Sequence, residues 1–234
     1  MEKPHPGVLV AFAIHVLTAS GAFFAFLALV AAAENNFTLM FLWLGVALFI
    51  DGIDGPLARK INVKGLLPNW SGDMIDSIVD YATFCLIPAF ALYQSGFLQE
   101  VTSFLAAALI VITSAIYYAD TRMKTRDNCF KGFPVCWNML VFTLFVLQPG
   151  WYLALGLVVA SAVLTFLPVL FVHPVRVRTW RAATLSMFAL WTACGLVAIY
   201  YDLHAPTWAV VGIATSAAYL YVVGAVMQAT GKVA

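Results

Sequence analysis

Apolar residues dominate this chain in eight long stretches, roughly 8–32, 37–57, 73–94, 97–119, 136–149, 151–172, 181–201 and 206–228. A helix that crosses a membrane needs about 20 mostly apolar residues. The pattern therefore predicts an all-α, polytopic membrane helix bundle of about eight spans. The fifth stretch is short, and Pro149-Gly150 predicts a sharp turn between it and the sixth. The last two stretches carry no charged residue in their interiors, which fits packing or dimer helices.

The basic residues lie between the stretches or at their edges. Lys3 precedes the first. Arg59, Lys60 and Lys64 separate the second from the third, and Arg122, Lys124, Arg126 and Lys131 the fourth from the fifth. Arg176, Arg178 and Arg181 separate the sixth from the seventh, and Lys232 follows the eighth. All 12 basic residues thus fall on one side of an eight-span arrangement. The positive-inside rule makes that side cytoplasmic, with both termini there. Merging 136–172 into one span would move three arginines outside, which disfavours seven spans. The apolar run after the weakly basic start is too long for the core of a cleavable signal.

Composition agrees. The chain has 234 residues, is 63% hydrophobic and only 10% charged, where a soluble domain would be about 25% charged. A net charge of +1 points to no nucleic-acid partner. The four cysteines have neither CxxC spacing nor a histidine at metal-site spacing, so they read as packing residues.

Against this background one polar stretch stands out, Asp51 to Asp80. It holds five of the 11 acidic residues: Asp51, Asp54, Asp73, Asp76 and Asp80. A carboxylate inside a membrane helix costs about 2.5–3.5 kcal/mol on insertion scales. Grouped carboxylates also repel one another and call for a hard cation with oxygen ligands. Asp51 and Asp54 are three apart and Asp76 and Asp80 four apart, so each pair shares one helix face. Four aspartates carry about −4 at neutral pH, which two divalent cations would cancel. Such a pair with a bridging pyrophosphate is a two-metal phosphoryl-transfer site. Gly52, Gly55 and Gly72 open its mouth, and the planar fork of Arg59 suits a phosphate. A cation- or proton-coupled transporter is the competing class, but it would place its acids near the midplane, in related repeats. A non-catalytic scaffold would leave the spacing unexplained. Asp73 fits a helix cap or a nucleotide contact, and mid-span His15 fits a packed neutral imidazole better than a ligand.

These residues resemble the signature of the CDP-alcohol phosphotransferase family, D-x-x-D-G-x-x-A-R, a spacer, then G-x-x-x-D-x-x-x-D. Here the fixed positions are Asp51, Asp54, Gly55, Ala58, Arg59, Gly72, Asp76 and Asp80. The resemblance covers roughly the first six stretches, giving a core at 1–172 and two added helices at 173–234. The long spacer and the Asp51-Gly52 step are similar to the branch that uses choline. The resemblance implies transfer of a phosphatidyl group from CDP-diacylglycerol to choline, with serine, glycerol 3-phosphate or inositol as alternative acceptors. It implies two divalent cations, Mn2+ or Mg2+, held by Asp51, Asp54, Asp76 and Asp80, with Asp80 as general base. It implies CDP-diacylglycerol contacts at Gly55, Ala58, Arg59 and Gly72, surrounding membrane lipids, a homodimer, and a bacterial inner-membrane location with the site facing the cytoplasm.

For the acceptor, a quaternary ammonium favours aromatic faces and an anion. Tyr117, Tyr118, Phe133 and Trp137 supply the first and Asp120 the second, on a loop that ends in Phe130-Lys-Gly132-Phe133-Pro134. That step is similar to one in serine-using members of the family. Arg122, Lys124 or Arg126 would instead suit the carboxylate of a serine. Tyr and Trp also gather at membrane interfaces without any ligand.

Overall fold

The computed structural model describes residues 6–122, 125 and 129–233. Lys124, Arg126 and Lys3 lie outside the described residues. The chain is helical almost throughout and divides into two compact units, one ending at Ile87 and the other beginning at Pro88.

The first unit is built on α1 (Pro6–Ala33) packed along α2 (Phe37–Ile61). Asn36 starts α2 by accepting the Leu39 N–H at 3.0 Å, satisfying one of the amides that a helix start leaves open. Asn62 ends it in the left-handed conformation, φ 55°, a role Asn tolerates. Pro56 lies inside α2 and cannot donate to the Gly52 carbonyl one turn back. The backbone ladder is therefore interrupted beside Asp51. A short helix, α3 (Val63–Leu66), occupies the spacer, and its Val63 packs with Ala11, Ile14, Ala58 and Ile61.

Ser71 caps α4 (Gly72–Asp80) by accepting the Met74 N–H at 3.2 Å. The cap is Ser71 and not Asp73, whose carbonyl instead accepts the Ser77 hydroxyl at 2.8 Å. Directly after Asp80 the chain widens into a π-helical segment, Tyr81–Leu86. Thr83 bonds back there to the Val79 carbonyl at 2.9 Å. Such segments are rare and collect at functional sites. With α4 before it and α5 (Ile87–Gln94) after it, this segment makes one apolar stretch of 23 residues, Gly72–Gln94.

The second unit contains α6 (Glu100–Ala119), α7 (Trp137–Leu147), α8 (Trp151–Leu164), α9 (Arg181–Tyr200) and α10 (Thr207–Ala229). It also holds an antiparallel pair absent from the sequence expectation, β1 (Phe130–Lys131) against β2 (Leu170–Phe171). Gly132 follows β1 at φ +80°, and a Cβ there would overlap the Thr165 carbonyl. The Phe-x-Gly-Phe-Pro step thus seats the chain on the end of α8, with the Gly132 N–H on the Val169 carbonyl and the Phe133 N–H on Leu164. Gln228 of α10 holds both sides of the next turn, donating to the Pro168 carbonyl and accepting the Leu170 N–H. Val223 and Met227 of α10 share a buried cluster with Leu170 and Val172, which gives that helix the packing role its sequence indicated.

Among the described residues, six of the apolar helical stretches are long enough to cross a membrane. Two of the eight expected spans, 136–149 and 151–172, form shorter helices of 11 and 14 residues. Gln148 stops the first in the left-handed conformation, and a turn and β2 take up the end of the second.

Candidate active site

Helix α2 brings Asp51 to α4, where it meets Asp76 and Asp80. Each of the three offers a carboxylate oxygen, and these oxygens lie within 4.8 Å of one another. All three side chains are half-buried. Oxygen ligands stand about 2.0–2.6 Å from Mg2+ or Ca2+, so oxygens on opposite sides of one cation are separated by about twice that. The triplet has that span. The i, i+4 spacing of Asp76 and Asp80 stacks them on one face of α4, and Asp51 completes the group from the neighbouring helix.

Asp54, the fourth motif aspartate, lies outside this triplet. It is 4% exposed, and its Oδ2 is enclosed with no hydrogen-bond partner among the described residues. An enclosed carboxylate oxygen without a partner is unfavourable unless a cation or a donor meets it. Three converging carboxylates and one orphaned carboxylate oxygen therefore fit a divalent cation centre.

The positions that the sequence resemblance leads one to expect at the nucleotide lie on the same two helices. Arg59 is exposed and folds back over Gly55, where a Cβ would stand 3.3 Å from its guanidinium. Ala58 turns inward against the α1–α3 cluster. Gly72 opens α4, and a Cβ there would stand 3.2 Å from Cε1 of His15.

The acceptor candidates are all in the second unit. Tyr117 is 5% exposed, with a phenolic oxygen that has no hydrogen-bond partner among the described residues, and meets Tyr118 edge-on at 6.3 Å. Phe133 and Trp137 are buried and pack edge to face at 4.9 Å. Phe133 also packs on Phe171, and the Trp137 indole donates to Ser114 at 2.8 Å. The faces of these two rings belong to a packed core, which Tyr221 of α10 joins. Asp120 already carries a cation. The Arg122 Nε donates to it at 2.9 Å, a second guanidinium nitrogen at 3.1 Å and the Arg122 backbone N–H at 2.8 Å. Those hydrogen bonds hold its carboxyl below the usual carboxylate range. Sequence reasoning foresaw neither this pairing nor the π-helical step after Asp80. Both depend on backbone conformation, although Asp120 and Arg122, two apart on a loop, were a visible signal for the pair.

Comparison with known proteins covers the same part of the chain. The family described as CDP-alcohol phosphatidyltransferase matches residues 9–167. A Brucella melitensis protein described as phosphatidylcholine synthase is 60% identical over 93% of this chain and 79% of its own length. One from Rhizobium johnstonii with the same description is 57% identical over 93% and 90%. A more distant Pseudomonas aeruginosa protein, also so described, is 38% identical over 77% and 76%. The match takes in both aspartate helices and every fixed motif position, and the chain belongs to the CDP-alcohol phosphatidyltransferase family.

Proposed function

We propose that this membrane protein transfers the phosphatidyl group of CDP-diacylglycerol to choline, giving phosphatidylcholine and CMP. The observation that carries the reading is the convergence of Asp51, Asp76 and Asp80 from two helices, with the orphaned oxygen of Asp54 beside them in the motif. The choice of choline rests on relatives described as phosphatidylcholine synthase. Serine, glycerol 3-phosphate and inositol are the competing acceptors.

Asp51, Asp54, Asp76 and Asp80 would hold two divalent cations, Mn2+ or Mg2+. When bound, these cations neutralise the diphosphate and stabilise charge on the leaving CMP. The chain's own residues do the rest. Arg59 meets the phosphate oxygens with its planar fork, and Gly55, Ala58 and Gly72 keep side chains out of the nucleotide's way. Asp80 takes the proton of the choline hydroxyl. The freed oxygen attacks the phosphorus that bears diacylglycerol. The bond from that phosphorus to CMP breaks, and CMP leaves with the electron pair. Tyr117 and Tyr118 are the aromatics we assign to the acceptor.

The setting we infer is a bacterial inner membrane with eight membrane-embedded helices, both termini and the site on the cytoplasmic side, and a homodimer. The one-sided distribution of the 12 basic residues supports this orientation. The core at 1–172 is supported by a family match that ends at residue 167, with 173–234 as an addition. The test is an acceptor panel on purified protein with Mn2+ or Mg2+, following CMP release. Release with choline alone supports the reading, release with another alcohol reassigns the acceptor, and release with none rejects the reaction.

A further inference from the structure

His15 sits in mid-α1 in surroundings that packing alone does not explain. The side chain is 5% exposed, and its Nε2 is enclosed without a hydrogen-bond partner among the described residues. Such a nitrogen is destabilising unless something arrives to meet it. The ring lies against the first residue of α4. A Cβ on Gly72 would stand 3.2 Å from Cε1 and 3.6 Å from Nδ1 of His15. Helices α1 and α4 stay close further along, where a Cβ on Gly21 would stand 2.7 Å from Val79 Cγ1. Gly72 therefore leaves room for an imidazole supplied by the neighbouring helix. Asp76 follows Gly72 by four residues, about 6 Å along the helix axis, and Asp80 by eight, about 12 Å.

We propose that His15 is a substrate-binding residue that hydrogen-bonds through Nε2 to the cytidine half of CDP-diacylglycerol, with Gly72 seating its ring. The assignment rests on the reaction proposed above. The diphosphate belongs with the carboxylates, and the acceptor hydroxyl belongs at Asp80, two turns from Gly72. The acyl chains of the diacylglycerol are apolar, and its esters offer only acceptor carbonyls. The nucleoside is the substrate part that carries neutral donors as well as acceptors, in its ribose hydroxyls and cytosine ring, and an imidazole can meet either kind. A quaternary ammonium offers Nε2 no hydrogen bond.

The experiment is calorimetric titration of CMP into the full-length protein in nanodiscs with Mg2+, for wild type, His15→Phe and His15→Gln. The expected result is CMP affinity about tenfold weaker in His15→Phe. The KM for CDP-diacylglycerol rises by a similar factor, the KM for choline is unchanged, and His15→Gln recovers most of the loss through its amide. Equal CMP affinity in wild type and a well-folded His15→Phe overturns the assignment. Should His15→Phe fail to fold, the 15N resonance of Nε2 decides, in a variant whose single histidine is His15. A shift on adding CMP supports the hydrogen bond, and no shift overturns it. A wild type that binds no CMP rejects the reaction itself.

Discussion

Removing the charge of Asp54 should uncouple stability from metal. Its Oδ2 is enclosed and unpartnered at 4% residue exposure, so the metal-free protein carries an uncompensated polar atom that a cation would relieve. A cation that binds only the folded chain at 100 times its Kd adds about 2.7 kcal/mol. In a chain of this size that is a rise in melting temperature of about 5–11 °C. Losing even a carboxylate that only supports metal ligands weakens metal binding by about 10–100-fold, and Asp54 would be a ligand itself. At the same cation concentration a hundredfold loss leaves about 0.4 kcal/mol, a shift near the limit of detection. Asp54→Asn should therefore melt no lower than wild type in chelator and lose most of the rise with Mg2+ or Mn2+. Thermal unfolding in detergent, followed by intrinsic fluorescence across a cation titration, reads both quantities. A full wild-type rise in Asp54→Asn would refute the role of Asp54 in the centre. A lower melting temperature in chelator would show that the carboxylate has a partner of its own.

Asp80→Asn should abolish CMP release while retaining most nucleotide binding, measured by turnover and CMP titration on the same preparation; unchanged turnover removes Asp80 as the base. Arg59→Ala should raise the KM for CDP-diacylglycerol about tenfold and leave that for choline within a factor of two or so, and steady-state kinetics with either substrate varied would expose the reverse pattern. Asp120 has its carboxyl held down by the hydrogen bonds from Arg122, so the pair's contribution is complete above the ordinary carboxylate pKa. It fades only as pH falls through the lowered value. Because the pair is solvent-exposed, Asp120→Asn should leave the melting temperature nearly unchanged and flat from pH 5 to 8; a clear drop there would mean that the pair orders the loop.

The sequence alone determined the membrane class, the limits of most long helices and the eight motif positions. These depend on periodicity and spacing, which are local. Apolar runs reveal helices because backbone groups in lipid must bond within the segment, and the i, i+4 spacing of Asp76 and Asp80 stacks them on any helix. Three-dimensional packing decided the rest. Asp51 joins Asp76 and Asp80 while Asp54 lies apart from that triplet, because the packing of the helices selects which carboxylates converge. Phe133 and Trp137 look like cage aromatics in the sequence but close on Phe171, Tyr221 and Ser114, residues far along the chain. The two-residue strands depend on Gly132 docking against α8. His15 reads as a packed histidine until its ring is found against Gly72 with an enclosed nitrogen unmet. A side chain's chemistry is written in the sequence, but whether its hydrogen bonds are met depends on neighbours that only folding brings within reach.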